Sequence, residues 1–177
     1  MQMSYTEKAK KAIDLAGRVS KTLHHNYIGT EHLMIGLLKE GTGVAAKVLG
    51  ENGVELKKTM ELMKELIAPE GQIALVEADG YSPRAVRVLG QAAKEANRFR
   101  SERIGTEHLL LAMVKETECV ASRLLNTMGI NIQKLYVDTL VAMGEDANLY
   151  KEEFQNGRPG KKKNSEGTPT LDQYSRD

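Results

Sequence analysis

The sequence has no tryptophan and only 2 phenylalanines, which leaves few aromatic faces on which single-stranded bases could stack. Its one cysteine, Cys119, excludes an internal disulfide and fits a reducing compartment; set among Val, Ala and Leu, the thiol reads as small apolar filler. An excess of charge is also missing. With 25 Lys and Arg against 24 Asp and Glu, the net charge of +1 offers no bulk attraction for nucleic acid or for an anionic membrane. No run approaches the roughly 18 apolar residues of a membrane span, and the first residues show no basic head followed by an unbroken apolar stretch. These absences predict a cytoplasmic protein with no nucleic-acid and no membrane partner.

Catalytic signatures are lacking as well. Gly160 and Lys161 suggest a phosphate loop, but Gln155 stands where its first glycine belongs and Lys162 where its Ser or Thr belongs. The two "TEHL" strings lack the second histidine one turn later that a zinc-binding HExxH helix requires, and no Cys or Asp cluster supplies other ligands. Cys119 has no marked base beside it. The chain is therefore expected to be non-catalytic and to hold no metal. His32 and His108 read as structural histidines bonding the backbone, and the adjacent His24 and His25 as surface residues pointing to different helical faces.

What the sequence does contain is a tandem repeat. "YIGTEHLMIGLLKEGTGVAAKVLGENGV" (27–54) and "RIGTEHLLLAMVKETECVASRLLNTMGI" (103–130) share 12 identities in 28 gapless positions, where chance would give about two. The same offset of 76 pairs Tyr5 with Tyr81, Thr6 with Ser82 and Ala9 with Ala85. Apolar residues keep helical spacing throughout each copy: Ala9, Ala12, Ile13, Ala16 and Val19, for example, then Leu33, Leu37 and Leu38. Each copy reads as four helices, which predicts an all-α, eight-helix, pseudo-two-fold bundle. "QIALVEAD" (72–79) is a candidate short extended piece between the halves. The boundaries read as repeat one at 4–68, a linker at 69–80, repeat two at 81–144, and a solvated linker at 145–177 rich in Gly, Pro, Lys and Asn, leading to a further domain.

Ser82 before Pro83 marks a helix start, and Thr6 holds the equivalent place; Ser4 with Glu7 offers a competing capping box. Gly50 or Gly53, and Gly129, fit helix C-terminal positions needing positive φ. In the repeated "GTEH", Thr30 and Thr106 read as N-caps, with Glu31 and Glu107 in the first turn, where a negative charge is favoured by about 0.3–1 kcal/mol. A carboxylate fixed there can also receive a guanidinium as a bidentate pair. The neighbouring helix starts at Thr6 and Ser82 expose amides that can hold a phosphate. Together they suggest a ligand carrying both charges.

With "YTEKAKKAI", "YSPRAVRVL", both "IGTEHL" strings, "EGTGVAAKVLGENGV" and the trailing "TPTLDQYSRD", the chain resembles the amino-terminal domain of Clp-family AAA+ unfoldases, most of all the ClpC type. The resemblance implies a non-catalytic substrate- and adaptor-docking domain, joined by its linker to ATPase modules that would bind the ATP and Mg cofactors. Those modules would form a hexameric ring feeding a ClpP-like peptidase. It also implies recognition of phosphoarginine-marked clients, with Glu31 and Glu107 receiving the guanidinium. Thr6, Glu7, Ser82 and Arg84 would serve the phosphate, and Thr30, Thr106, Lys10 and Arg87 would support. Adaptor docking without phosphoarginine is the alternative. In copy two, Thr117 and Cys119 replace glycines, which stiffens that turn, and Val86 stands opposite Lys10. Phosphate binding in the second pocket is therefore expected to use Arg84 or Arg87, or to be weaker.

Overall fold

The computed structural model describes residues 3–66 and 80–146, and over them the apolar stripes become eight helices. The first repeat holds α1 (Glu7–Thr22), α2 (Thr30–Glu40), α3 (Val44–Glu51) and α4 (Leu56–Leu66). The second holds α5 (Pro83–Arg98), α6 (Thr106–Lys115), α7 (Val120–Thr127) and α8 (Ile132–Ala142). No strand occurs among the described residues, so the all-α, two-repeat plan is the fold of the chain. The extended piece at 72–79 and the tail after residue 146 lie outside the described residues.

Helix starts follow the local chemistry. Thr6 rather than Ser4 caps α1, its Oγ1 accepting from the Ala9 amide at 3.1 Å; Ser82 caps α5 through the Ala85 amide at 3.1 Å, with Pro83 in the first turn. Gly53 and Gly129 take φ of +87° and +78°, while Gly50 stays inside α3. The repeats part company at one turn. Gly41 ends α2 in the left-handed region at φ +79°, but Thr117 holds that place in copy two, and a β-branched side chain resists that conformation. There α6 ends instead at Glu116, with φ −88° and ψ 84°.

α2 and α6 are the central helices, apolar on nearly every face. Leu33, Met34, Ile35 and Leu37, and likewise Leu109 through Val114, are at most 1% exposed. The small residues of α1 (Ala9, Ala12, Ala16) and α5 (Ala85, Ala92, Ala96) let those helices lie close against them. Both GTEH segments thus open a helix that runs straight into the core.

Two short parallel pairings stitch the repeats together, and they cross over. The Ile104 amide donates to the Ser4 carbonyl and the Thr6 amide to the Ile104 carbonyl, both at 2.9 Å. In the other half the Ile28 amide donates to the Gly80 carbonyl at 2.8 Å and the Ser82 amide to the Ile28 carbonyl at 3.0 Å. Each repeat's first helix therefore begins beside the other repeat's GTEH segment.

Candidate functional site

The expectation that Thr30 and Thr106 cap their own helices is overturned: the caps are Gly29 and Gly105, and each threonine is already the first helical residue. The hydroxyls work across the interface instead. Thr30 Oγ1 accepts from the Ala121 amide at the start of α7 at 3.0 Å, and Thr106 Oγ1 from the Ala45 amide at the start of α3 at 3.3 Å. Each satisfies an orphan first-turn donor of the opposite repeat. The cap amides go to the histidines. Gly29 N–H donates to His32 Nδ1 at 2.8 Å, and Gly105 N–H to His108 Nδ1 at 2.9 Å, the reach-back otherwise made by a Glu or Gln three residues into a helix. An accepting Nδ1 requires neutral rings. Burial first, and His25 second, push His32 down to about 3; burial lowers His108, against the pull of Glu107 and Glu95.

Both carboxylates fold back over their cap glycine, where an added Cβ would collide with the Glu31 or Glu107 oxygens. Beyond that they differ. Glu31 is 1% exposed and its Oε2 accepts from the Tyr27 hydroxyl at 2.7 Å, so the accessible carboxylate expected in copy one is buried and already bonded. Burial pushes its carboxyl above the usual range, and the bonds from the Tyr27 hydroxyl and its own backbone amide hold it down only in part. Glu107 is half-buried, with no hydrogen bond or ion pair at its carboxylate among the described residues. Arg103, exposed, stands where copy one has Tyr27.

The grouping of the expected phosphate residues changes too, because the repeats cross over. The start of α1, with Thr6, Glu7 and Lys10, follows the pairing with the Glu107 segment, and the start of α5, with Ser82, Arg84 and Arg87, that with the Glu31 segment. Glu7 opens α1 with its carboxylate outside, 3.5 Å from Lys10 Nζ, so only its backbone amide suits an anion. Both side chains of that pair are more than half exposed, which leaves the Lys10 ammonium available. Arg84 is engaged instead. Its guanidinium reaches Glu116 at 2.7 Å and Glu118 at 3.2 Å, and Arg87 lies 3.9 Å from the same Glu116. The notion that Arg84 or Arg87 replaces Lys10 beside Glu107 is thus corrected on two counts, location and occupancy.

His24 is exposed as expected, but His25 is turned inward. Its Nδ1 lies 2.6 Å from His32 Nε2, and its ring stacks on Tyr27 with centroids 5.6 Å apart and planes 6° apart. Since His32 Nδ1 accepts from Gly29, His32 Nε2–H is the donor and His25 Nδ1 the acceptor. Sequence reasoning missed this His25–Tyr27–Glu31 chain, and the one signal available was a histidine three residues after a glycine in both copies. Copy two has Ser101 in place of His25, its Oγ 3.4 Å from His108 Nε2. Cys119 is buried against Met113 and Ser122 as packing. No group of three His, Cys, Asp or Glu able to hold a metal occurs among the described residues, and no described helix is long and apolar enough to cross a membrane.

Paired four-helix repeats, each opening a core helix with the same pentapeptide, define a tandem-repeat domain of the Clp chaperone class. The chain belongs to the Clp repeat (R) N-terminal domain family, whose model matches residues 4–128 and 80–162. It is 37% identical over 173 residues to the chaperone protein ClpB of Oceanobacillus iheyensis, and 36% identical over 173 residues to the negative regulator of genetic competence ClpC/MecB of Bacillus subtilis. Both alignments cover 98% of this chain and about a fifth of the relative, 21% and 20% respectively. The fold matches the N-terminal domain of the chaperone ClpD from Arabidopsis thaliana, with a TM-score of 0.68 at 22% identity, over 79% of this chain and 94% of that one. It also matches the Hsp104 N-terminal domain from Candida albicans, with a TM-score of 0.64 at 14% identity, over 81% and 93%.

Proposed function

We propose that this domain receives client proteins and adaptors for a Clp-type ATPase ring, and that its ligand is phosphoarginine, bound at the composite site of Glu107 and the start of α1. The ring would be hexameric and would pass captured clients to a ClpP-like peptidase. The observation carrying this reading is the Glu107 carboxylate: in the first turn of a helix, half-buried, and with no hydrogen bond or ion pair among the described residues. A guanidinium there gains a bidentate, partly desolvated pair. The Thr6–Ile104 pairing brings the start of α1 beside the Glu107 segment, which supports the amides of that start, with Lys10 one turn further on, as the group that would receive the phosphate. Calorimetric titration with free phosphoarginine should give a binding heat that Glu107→Ala abolishes while helical circular dichroism is unchanged. Retention of that heat in the folded variant refutes the assignment. In that case an adaptor that still binds the variant would favour docking on outer helix faces alone.

A further inference from the structure

The two repeats supply an internal comparison that no alignment of whole domains offers. At equal positions, copy one has His25, Tyr27 and Glu31, and copy two has Ser101, Arg103 and Glu107. In copy one the phenol donates at 2.7 Å to the carboxylate oxygen that a guanidinium would need, and the stacked His25, itself bonded to His32, backs the ring. In copy two the aromatic ring and its backing are both replaced, and the carboxylate is partly open.

We propose that Tyr27 is an internal competitor for the Glu31 carboxylate, making the two repeats unequal receptors: repeat two open at rest, repeat one closed until Tyr27 is displaced. This rests on the reading of the GTEH carboxylates as guanidinium receptors. Single occupancy of Oε2 by a phenol is a weaker hold than a bidentate guanidinium pair, so a ligand offering both bonds can displace it. Tyr27, 6% exposed, and the His25 stacked on it border an open groove of about 570 Å³ walled by Asp14, Arg18, Lys21 and Gly80, into which the two rings would have to move together. The proposal makes stoichiometry the discriminating quantity. The resting domain takes one guanidinium ligand, and a multiply modified client takes the second site only by expelling Tyr27.

The test reads each carboxylate separately, by carbon-13 NMR of the Glu31 and Glu107 side chains in the full 177-residue chain, with methylguanidinium as the probe. In the wild type Glu107 should shift first, and Glu31 only at higher probe concentrations that displace Tyr27. Tyr27→Ala should make Glu31 respond at probe concentrations at least about tenfold lower than in the wild type. Should Tyr27→Ala fail to fold, the reciprocal graft decides. Ser101→His with Arg103→Tyr, on the outer loop of copy two, should raise the probe concentration needed at Glu107 by about tenfold or more. Equal responses at both carboxylates in the wild type overturn the proposal, as does a silent Glu31 in folded Tyr27→Ala, or a Glu107 that responds in the wild type and is unchanged in the graft. If Glu107 is silent throughout while Glu31 answers in Tyr27→Ala, the closure by Tyr27 stands and the assignment of Glu107 as receptor fails.

Discussion

Lowering the pH from 7 to 5 should destabilise this domain through His32. The ring is fully buried, its Nδ1 is occupied by the Gly29 amide and its Nε2–H by His25, so a proton has no place in the folded state. The folded value near 3 against 6.5 for a free imidazole means that the unfolded chain binds more protons below pH 6.5. The stabilising contribution is therefore complete above pH 6.5 and shrinks as the pH falls toward 3. At about 1.4 kcal/mol per unit, the loss between pH 7 and pH 5 comes to about 2 kcal/mol. His108 and His25, also lowered by burial, add in the same direction. Glu31 acts oppositely: its raised carboxyl binds its proton more readily folded than unfolded, which returns part of the loss as the pH approaches the carboxylate range. Against a total stability of about 5–15 kcal/mol, the net change is easily measured as a fall in urea midpoint between pH 7 and pH 5. His32→Gln, which keeps an acceptor for the Gly29 amide but cannot titrate, should remove about half or more of that pH slope. An unchanged slope in His32→Gln, or a wild-type midpoint flat across the range, refutes the reasoning.

Other outcomes follow from the same contacts. Thr30→Val should cost about 1 kcal/mol in urea unfolding by orphaning the Ala121 amide across the repeat interface, Thr30→Ser should restore most of it, and Thr106→Val should cost less because its bond is longer. Gly29→Ala should cost about 1–3 kcal/mol because the new methyl meets the Glu31 carboxylate and the Tyr27 ring, whereas Gly105→Ala should cost less, since half-buried Glu107 can turn away. Arg84→Ala should change stability by less than about 1 kcal/mol, its side chain being 42% exposed, and should leave phosphoarginine titration at Glu107 unaltered.

The fold was legible because helical spacing is a local property: Ala9, Ala12 and Ala16 line one face of α1, and the run Leu109 to Val114 marks a helix buried on nearly every side. Ser82–Pro83 and Thr6 likewise carried their caps in their own chemistry. The site was legible only as residue types. Its pentapeptide and its doubled carboxylate sat in the sequence, as did the family resemblance. Which carboxylate was open did not, because exposure depends on what stands opposite a side chain rather than beside it in the chain.

The sequence by itself determined eight helices in two equivalent sets and the capping groups of α1 and α5, Thr6 and Ser82, since spacing and capping act within a few residues. Only the tertiary structure decided that the repeats exchange their first strands of backbone pairing, so that Thr6 faces the Glu107 segment and Ser82 the Glu31 segment. It also decided that the threonines cap each other's repeat, and that Tyr27 covers Glu31 while Glu107 is left half open. The physical reason is that hydrogen-bond partners in a packed interior are chosen by proximity across elements, and nothing in a local stretch of residues encodes which orphan donor or acceptor the opposite repeat will bring within 3 Å of it.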